Sequence, residues 1–145
     1  MSMRKTMTII ILGCLVLSGI YFYVFRPPLE ATPFASSLDK KVVVVPIGNK
    51  GFRNIEVTEV FVNQIEKPEI AKVQLYDPSK GYIIPETFNE EGFQFENIGV
   101  IEPGGSINEE HSKYGLSIKN TNEIFTVHIR YKYLGKKFEE VVKVN

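Results

Sequence analysis

The hydrophobic positions of this chain follow two regimes. From Thr6 to Phe25 the sequence reads TMTIIILGCLVLSGIYFYVF, twenty residues without a charge. At 1.5 Å per residue a helix of that length spans about 30 Å, the thickness of a bilayer's hydrocarbon core. Arg26, Pro27 and Pro28 end it, because proline lacks the amide donor and pushes the preceding residue out of the helical region. After residue 39 the pattern switches to alternation with a period of two, broken every eight to fifteen residues by turn chemistry, and this predicts strands.

Val42 to Val45 form a β-branched run closed by Pro46, which predicts a first strand, doubly buried or at an edge. Gly48 to Gly51 is a turn. Ile55 to Val62 is a second strand whose apolar parity slips, which places a bulge near Thr58 and Glu59. Glu66-Lys67-Pro68-Glu69 is a turn, and Val73 and Leu75 alternate with Lys72, Gln74 and Tyr76. An irregular stretch runs from Asp77 to Gly92. Phe93 and Phe95 alternate with Gln94 and Glu96, and a glycine-rich acidic loop leads from Glu102 to Gly115. Leu116 and Ile118 then alternate with Ser117 and Lys119. Phe125, Val127, Ile129, Tyr131 and Tyr133 share one predicted face, and Thr126, His128, Arg130 and Lys132 the other. Leu134 to Lys137 turns the chain, and Phe138, Glu140, Val142 and Val144 lead back in a long hairpin.

These elements divide the chain into a cytoplasmic tail and transmembrane signal anchor over 1–26, a proline-containing linker over 27–39, and an extracytoplasmic β domain over 40–145. The linker, PPLEATPFASSLD, has neither helical nor strand period and reads as a semi-rigid spacer that holds the domain off the bilayer. About seven short strands with no further helix predict a mostly β fold, an antiparallel sandwich of immunoglobulin or fibronectin type. The Cys-Trp-Cys pattern of antibody domains is missing, so the label is architectural.

Gly51-Phe52-Arg53-Asn54-Ile55-Glu56-Val57 and Tyr131-Lys132-Tyr133-Leu134-Gly135, behind a basic and then hydrophobic N-terminus, resemble small uncharacterised membrane-anchored proteins of Bacillus-type bacteria. The resemblance implies a Gram-positive cell surface. It carries over no activity and no functional residue.

Charge orients the anchor. Arg4 and Lys5 precede it, while only Arg26 follows closely before Lys40 and Lys41, so the positive-inside rule puts the N-terminus in the cytoplasm. Two other readings of the segment stand beside the uncleaved anchor. A cleaved signal peptide lacks small residues at a convincing cut site and ends in bulky Tyr-Phe-Tyr-Val-Phe. A lipoprotein is suggested by Ile11-Leu12-Gly13-Cys14, but Leu12 replaces the small residue of a lipobox.

The net charge is zero. Setting aside Arg4, Lys5 and Arg26 leaves 14 basic residues against 17 acidic ones, about −3 for residues 27–145. That balance argues against nucleic acid and gives no sign of an anionic lipid surface. Cys14 is the one cysteine, so the outer domain holds no disulfide and no thiolate metal site.

Candidate chemistry is sparse. His111 and His128 are the only imidazoles, and His128 reads as a solvated strand residue. No nucleophile elbow and no phosphate-cradling glycine loop occur. Two histidines without outer thiols argue against zinc and copper. Asn89, Glu90 and Glu91, and Asn108, Glu109 and Glu110, supply oxygens without the spacing of a calcium loop. Glu139 and Glu140 are strand neighbours and face opposite ways, which removes a glycosidase pair. The helix lacks the early glutamate of a type IV prepilin.

No cofactor, metal or catalytic residue is therefore expected. The expectation is a non-enzymatic accessory module tethered in a bacterial envelope, with an envelope protein as partner. A small-molecule or glycan-binding domain is the alternative. Loops of a rigid scaffold carry function, so the expected interaction loop comprises Tyr82, Ile83, Ile84 and Phe88, with Tyr82 and Phe88 as its exposed aromatics.

Overall fold

A computed structural model describes residues 3–104, 107 and 112–145. His111, Asn108, Glu109 and Glu110 lie outside the described residues. The described residues form one N-terminal helix and ten strands in two antiparallel sheets.

Helix α1 spans Met3–Val24, is long and apolar enough to cross a membrane, and buries no side chain against the rest of the chain. The same length and composition fit a signal sequence.

The strands are β1 (Leu29–Ala31), β2 (Ala35–Ser36), β3 (Val42–Asn49), β4 (Ile55–Val62), β5 (Ile70–Leu75), β6 (Phe95–Asn97), β7 (Val100–Ile101), β8 (Tyr114–Lys119), β9 (Thr126–Tyr133) and β10 (Lys136–Lys143). One sheet runs β1-β3-β8-β5-β6, with β2 also on β3; the other runs β10-β9-β4-β7. Their inward residues form one core, in which Val43, Val45, Leu116 and Ile118 of the first sheet meet Val57, Val60, Ile129 and Tyr131 of the second.

The strongest sequence signals are realised. β9 and β10 pair from Thr126↔Lys143 to Tyr133↔Lys136. Leu134 and Gly135 form the turn with φ of 49° and 76°, the positive values that a two-residue loop needs to match the twist of its strands. The bulge lies between Val57 and Glu59 in the β4–β9 ladder.

The segment over 27–39 is different from the expected spacer. Leu29–Ala31 pairs with Ile47–Asn49, and Ala35–Ser36 with Val43–Val44. The chain climbs along β3 as an interrupted edge strand, and Leu29 is already in the core. Together with the short β7, these two strands raise the count from the expected seven to ten. Two-residue and three-residue strands are too short to show a period, which explains why alternation did not reveal them.

Pro46 sits inside β3 instead of closing it. Its carbonyl accepts from Thr32 N–H, so its missing donor faces the gap between β1 and β2, where no ladder bond is lost. Phe125 is exposed, and Ile124 is buried in its place. The Phe125 N–H is held by the Asn63 side chain, so regular alternation begins only at Thr126.

A buried asparagine fixes the end of the domain next to α1. Asn49 donates to the carbonyls of Arg53 and Ile101, 2.9 Å each, and accepts from Gly51 N–H at 2.8 Å. It ties the β3–β4 loop to β7. Replacing it strands three backbone groups, each bond being worth about 1 kcal/mol net and more when a buried partner is left open. Asn49→Ala is expected to lower the unfolding free energy by about 2–4 kcal/mol, measured by urea denaturation of the full chain in detergent, followed by circular dichroism.

Candidate functional site

The expected interaction loop lies across the outward face of the first sheet. On that face Gln74 and Gly115 sit in register on β5 and β8. With its amide turned to satisfy both atoms, buried Gln74 donates to the Ile83 carbonyl at 3.3 Å and accepts from Ile83 N–H at 3.2 Å. It acts as a short stretch of strand for a segment that has none. A Cβ on Gly115 would lie 2.7 Å from the Tyr82 ring, so only glycine lets that ring rest on the sheet. The Tyr82 hydroxyl bonds Ser112 through its carbonyl and its Oγ, and burial pushes the phenol up to about 12. Phe34 and Tyr76 pack on the same ring at 5.8 and 5.2 Å.

Phe88, expected at the surface, is buried against Phe95 at 5.4 Å. Ile83 is half-buried, and Ile84 is exposed. Phe34, Tyr82, Ile83, Ile84, Glu86 and Glu90 border a shallow groove of about 630 Å³. Its carboxylate Glu90 accepts from the Glu86 and Thr87 amides and so braces its own loop.

His128 is more enclosed than a solvated strand residue, with a side chain only 14% exposed. Its Nδ1 lies 2.8 Å from Glu139 Oε1. Arg130 reaches Glu139 at 3.7 Å and Glu59 at 3.6 Å and stands over the Phe61 ring at 4.6 Å. The cluster lies on the outward face of three paired strands, and Thr58 beside it donates to the Arg130 carbonyl. These groups hold the strands together across the ladder. Among the described residues no three His, Cys, Asp or Glu side chains group closely enough to hold a metal ion.

The far end of the domain was not expected as a site. β3, β4 and β9 each have eight residues, which places that end about 25 Å from the α1 end. Three loops meet there and each exposes one apolar side chain: Leu38 between β2 and β3, Ile65 between β4 and β5, and Phe125 before β9. Ile65 is 83% exposed and Phe125 54%.

Hydrogen bonds tie these loops together. Asn63 donates to the Glu123 carbonyl at 2.7 Å and accepts from Phe125 N–H at 2.8 Å. Glu66 accepts from Asn120 and Asn122 at 3.1 Å each, and Thr121 donates to Glu69 at 2.6 Å. Ile124 N–H reaches the Lys40 carbonyl. Lys40, Asn63 and Gln64 hold left-handed φ of 52°, 50° and 85°, a conformation that costs non-glycine residues free energy and persists only where surroundings impose it. The readable signal was an isolated apolar residue inside a polar turn, as in Gln64-Ile65-Glu66.

No protein-family model, no curated protein and no solved structure matches this chain.

The Glu66 carboxyl is held below its ordinary value of 4.5 by the Asn120 amide first and the Asn122 amide second. A depressed carboxylate contributes stability above its unfolded value and loses it as pH falls through the folded one. Bracing of the far loops is therefore fully present above the ordinary carboxyl value of 4.5 and fades as pH falls below it through the lowered value of the folded state. Hydrogen exchange at Asn122 to Phe125, corrected for intrinsic rates, is expected to show this step, and Glu66→Gln to remove it.

Proposed function

We propose that this chain is a membrane-tethered, non-enzymatic interaction module of the bacterial cell envelope. Helix α1 is a single-pass anchor with its N-terminus in the cytoplasm, and the β domain, an immunoglobulin-like sandwich, stands on the extracytoplasmic side. The far end of the domain meets an apolar surface on an envelope protein.

The observation that carries this reading is the exposure of Leu38, Ile65 and Phe125 on braced loops, those of Ile65 and Phe125 held by the Asn63 and Glu66 bonds and that of Leu38 by Ser37 and by the Ile124 N–H to the Lys40 carbonyl. Isolated exposed apolar residues are ordinary. Three from separate loops at one end of a braced scaffold suit recognition, because little ordering entropy remains to be lost on binding. The exposed apolar length of α1 supports the anchor, since such a surface is unfavourable in water.

The binding of a small molecule or glycan is the second reading. It is favoured by the groove that places Phe34, Tyr82 and Ile84 beside Glu86 and Glu90.

A photo-crosslinking amino acid at Ile65 in living cells separates the two. A discrete partner band is expected, lost when Leu38→Ser and Phe125→Ser are added while the midpoint of unfolding changes little. Crosslinks from Ile84 but not from Ile65, with a thermal shift by a sugar or small metabolite, would transfer the function to the groove.

A further inference from the structure

The α1 end of the sandwich carries a second surface. Only residues 25–28 separate Val24 of α1 from Leu29 in the core, so the sandwich begins where the helix ends. The β9–β10 turn reaches back past that point. Lys136 Nζ donates to the Tyr21 hydroxyl at 2.7 Å and lies 4.8 and 4.2 Å from the centroids of the Tyr21 and Phe25 rings. Tyr21 stands three residues before the helix end, about 5 Å inside it. The ammonium of a folded-domain residue is thus level with the last turn of the apolar helix.

The β3–β4 loop lies against the same turn. Tyr23, Val24, Lys50, Gly51, Phe52 and Tyr133 border a cleft of about 690 Å³ between helix and domain. Phe52 is 57% exposed, yet its place is held: its N–H donates to the Tyr133 hydroxyl at 3.3 Å, and its ring meets the Tyr133 ring edge-on at 6.1 Å. A Cβ at Gly51 would lie 2.6 Å from that hydroxyl, so glycine is what lets the loop close on it. Arg26 borders the cleft, and Arg53, Lys136 and Lys137 are exposed at the same end of the domain. Among the described residues at this end, Glu30 is paired with Lys50 and Glu102 with Lys113, and Glu56 is exposed on β4.

We propose that this end of the sandwich is seated in the anionic headgroup layer of the membrane. Phe52 enters the interface, and Arg53, Lys136 and Lys137 pair with lipid phosphates. The inference rests on the reading of α1 as a membrane anchor. An aromatic ring flanked by cations is the chemistry that the headgroup boundary favours, and a basic residue near an anionic surface is worth about fivefold in partitioning. Long cationic side chains reach the phosphates while their methylene stems stay on apolar surface. Seating fixes the sandwich upright, with Leu38, Ile65 and Phe125 at its outermost point.

The chain has no tryptophan, so Phe52→Trp and Phe125→Trp each give a single reporter. The full-length variants go into vesicles of phosphatidylglycerol or of phosphatidylcholine, with brominated lipid as quencher. In phosphatidylglycerol, Trp emission from Phe52→Trp is expected to be blue-shifted and strongly quenched, and that from Phe125→Trp to be neither. Adding Arg53→Gln, Lys136→Gln and Lys137→Gln lowers the seated-to-unseated ratio by on the order of a hundredfold, and quenching falls with it.

Equal quenching of Phe52→Trp in phosphatidylcholine overturns the anionic-lipid assignment. Quenching of Phe52→Trp no greater than that of Phe125→Trp, in a chain that resists carbonate extraction, overturns the seating but leaves the anchor standing. Extraction by carbonate instead removes the anchor itself. Should Phe52→Trp fold poorly, a nitroxide on Asn54→Cys in a Cys14→Ser background reports the same depth.

Discussion

The absence of slack between the helix and the core governs the rest of this molecule. Leu29 enters the core five residues after the last residue of α1, and the chain then rises along β3 for its full length before the first tight turn. The segment 29–37 cannot act as a flexible stalk while its backbone groups are spent on β3. Whatever holds α1 also holds the near end of the β domain. The Lys136–Tyr21 bond closes a second connection, from the opposite sheet, between the domain and the helix.

The two ends of the β domain differ in what they expose. Near α1 the loops carry cations and one aromatic ring, held by Asn49, Gly51 and Tyr133. About 25 Å away the loops carry aliphatic and aromatic side chains on a polar frame of Asn63, Glu66 and Asn120. The sheets between the ends are closed on both sides. One outward face is covered by the Tyr82–Ile84 segment, and the other is laced by His128, Glu139, Arg130 and Glu59.

The parts of the fold that sequence made legible were those where periodicity runs long. The apolar helix, the β9–β10 hairpin and the β4 bulge all rest on six or more residues in one pattern. What escaped was short or built from side chains. β1 and β2 are stabilised by the neighbour they pair with, and nothing in three residues announces that neighbour. Gln74 reads as the polar half of an alternation and is in fact buried, because its amide substitutes for backbone partners that Ile83 lacks. Phe125 reads as the first core residue of β9, but the Asn63 bond to its amide shifts that role to Ile124. The 82–88 segment lies outside the ladders, and aromatic content there marks packing against the sheet and against Phe95 as much as exposure.

The same reasoning separates the loop from the far end as a place for recognition. In the loop, Tyr82 and Phe88 already have protein partners, so a ligand there would compete with contacts that hold the segment down. At the far end the bonds that fix the backbone come from polar side chains beneath, and the apolar side chains play no part in them. A partner can cover Leu38, Ile65 and Phe125 without breaking a bond of the frame. Lys40, Asn63 and Gln64 hold left-handed backbone beside these bonds. The backbone beneath three solvent-facing apolar groups is thus braced, and a braced backbone is of use to a surface that binds.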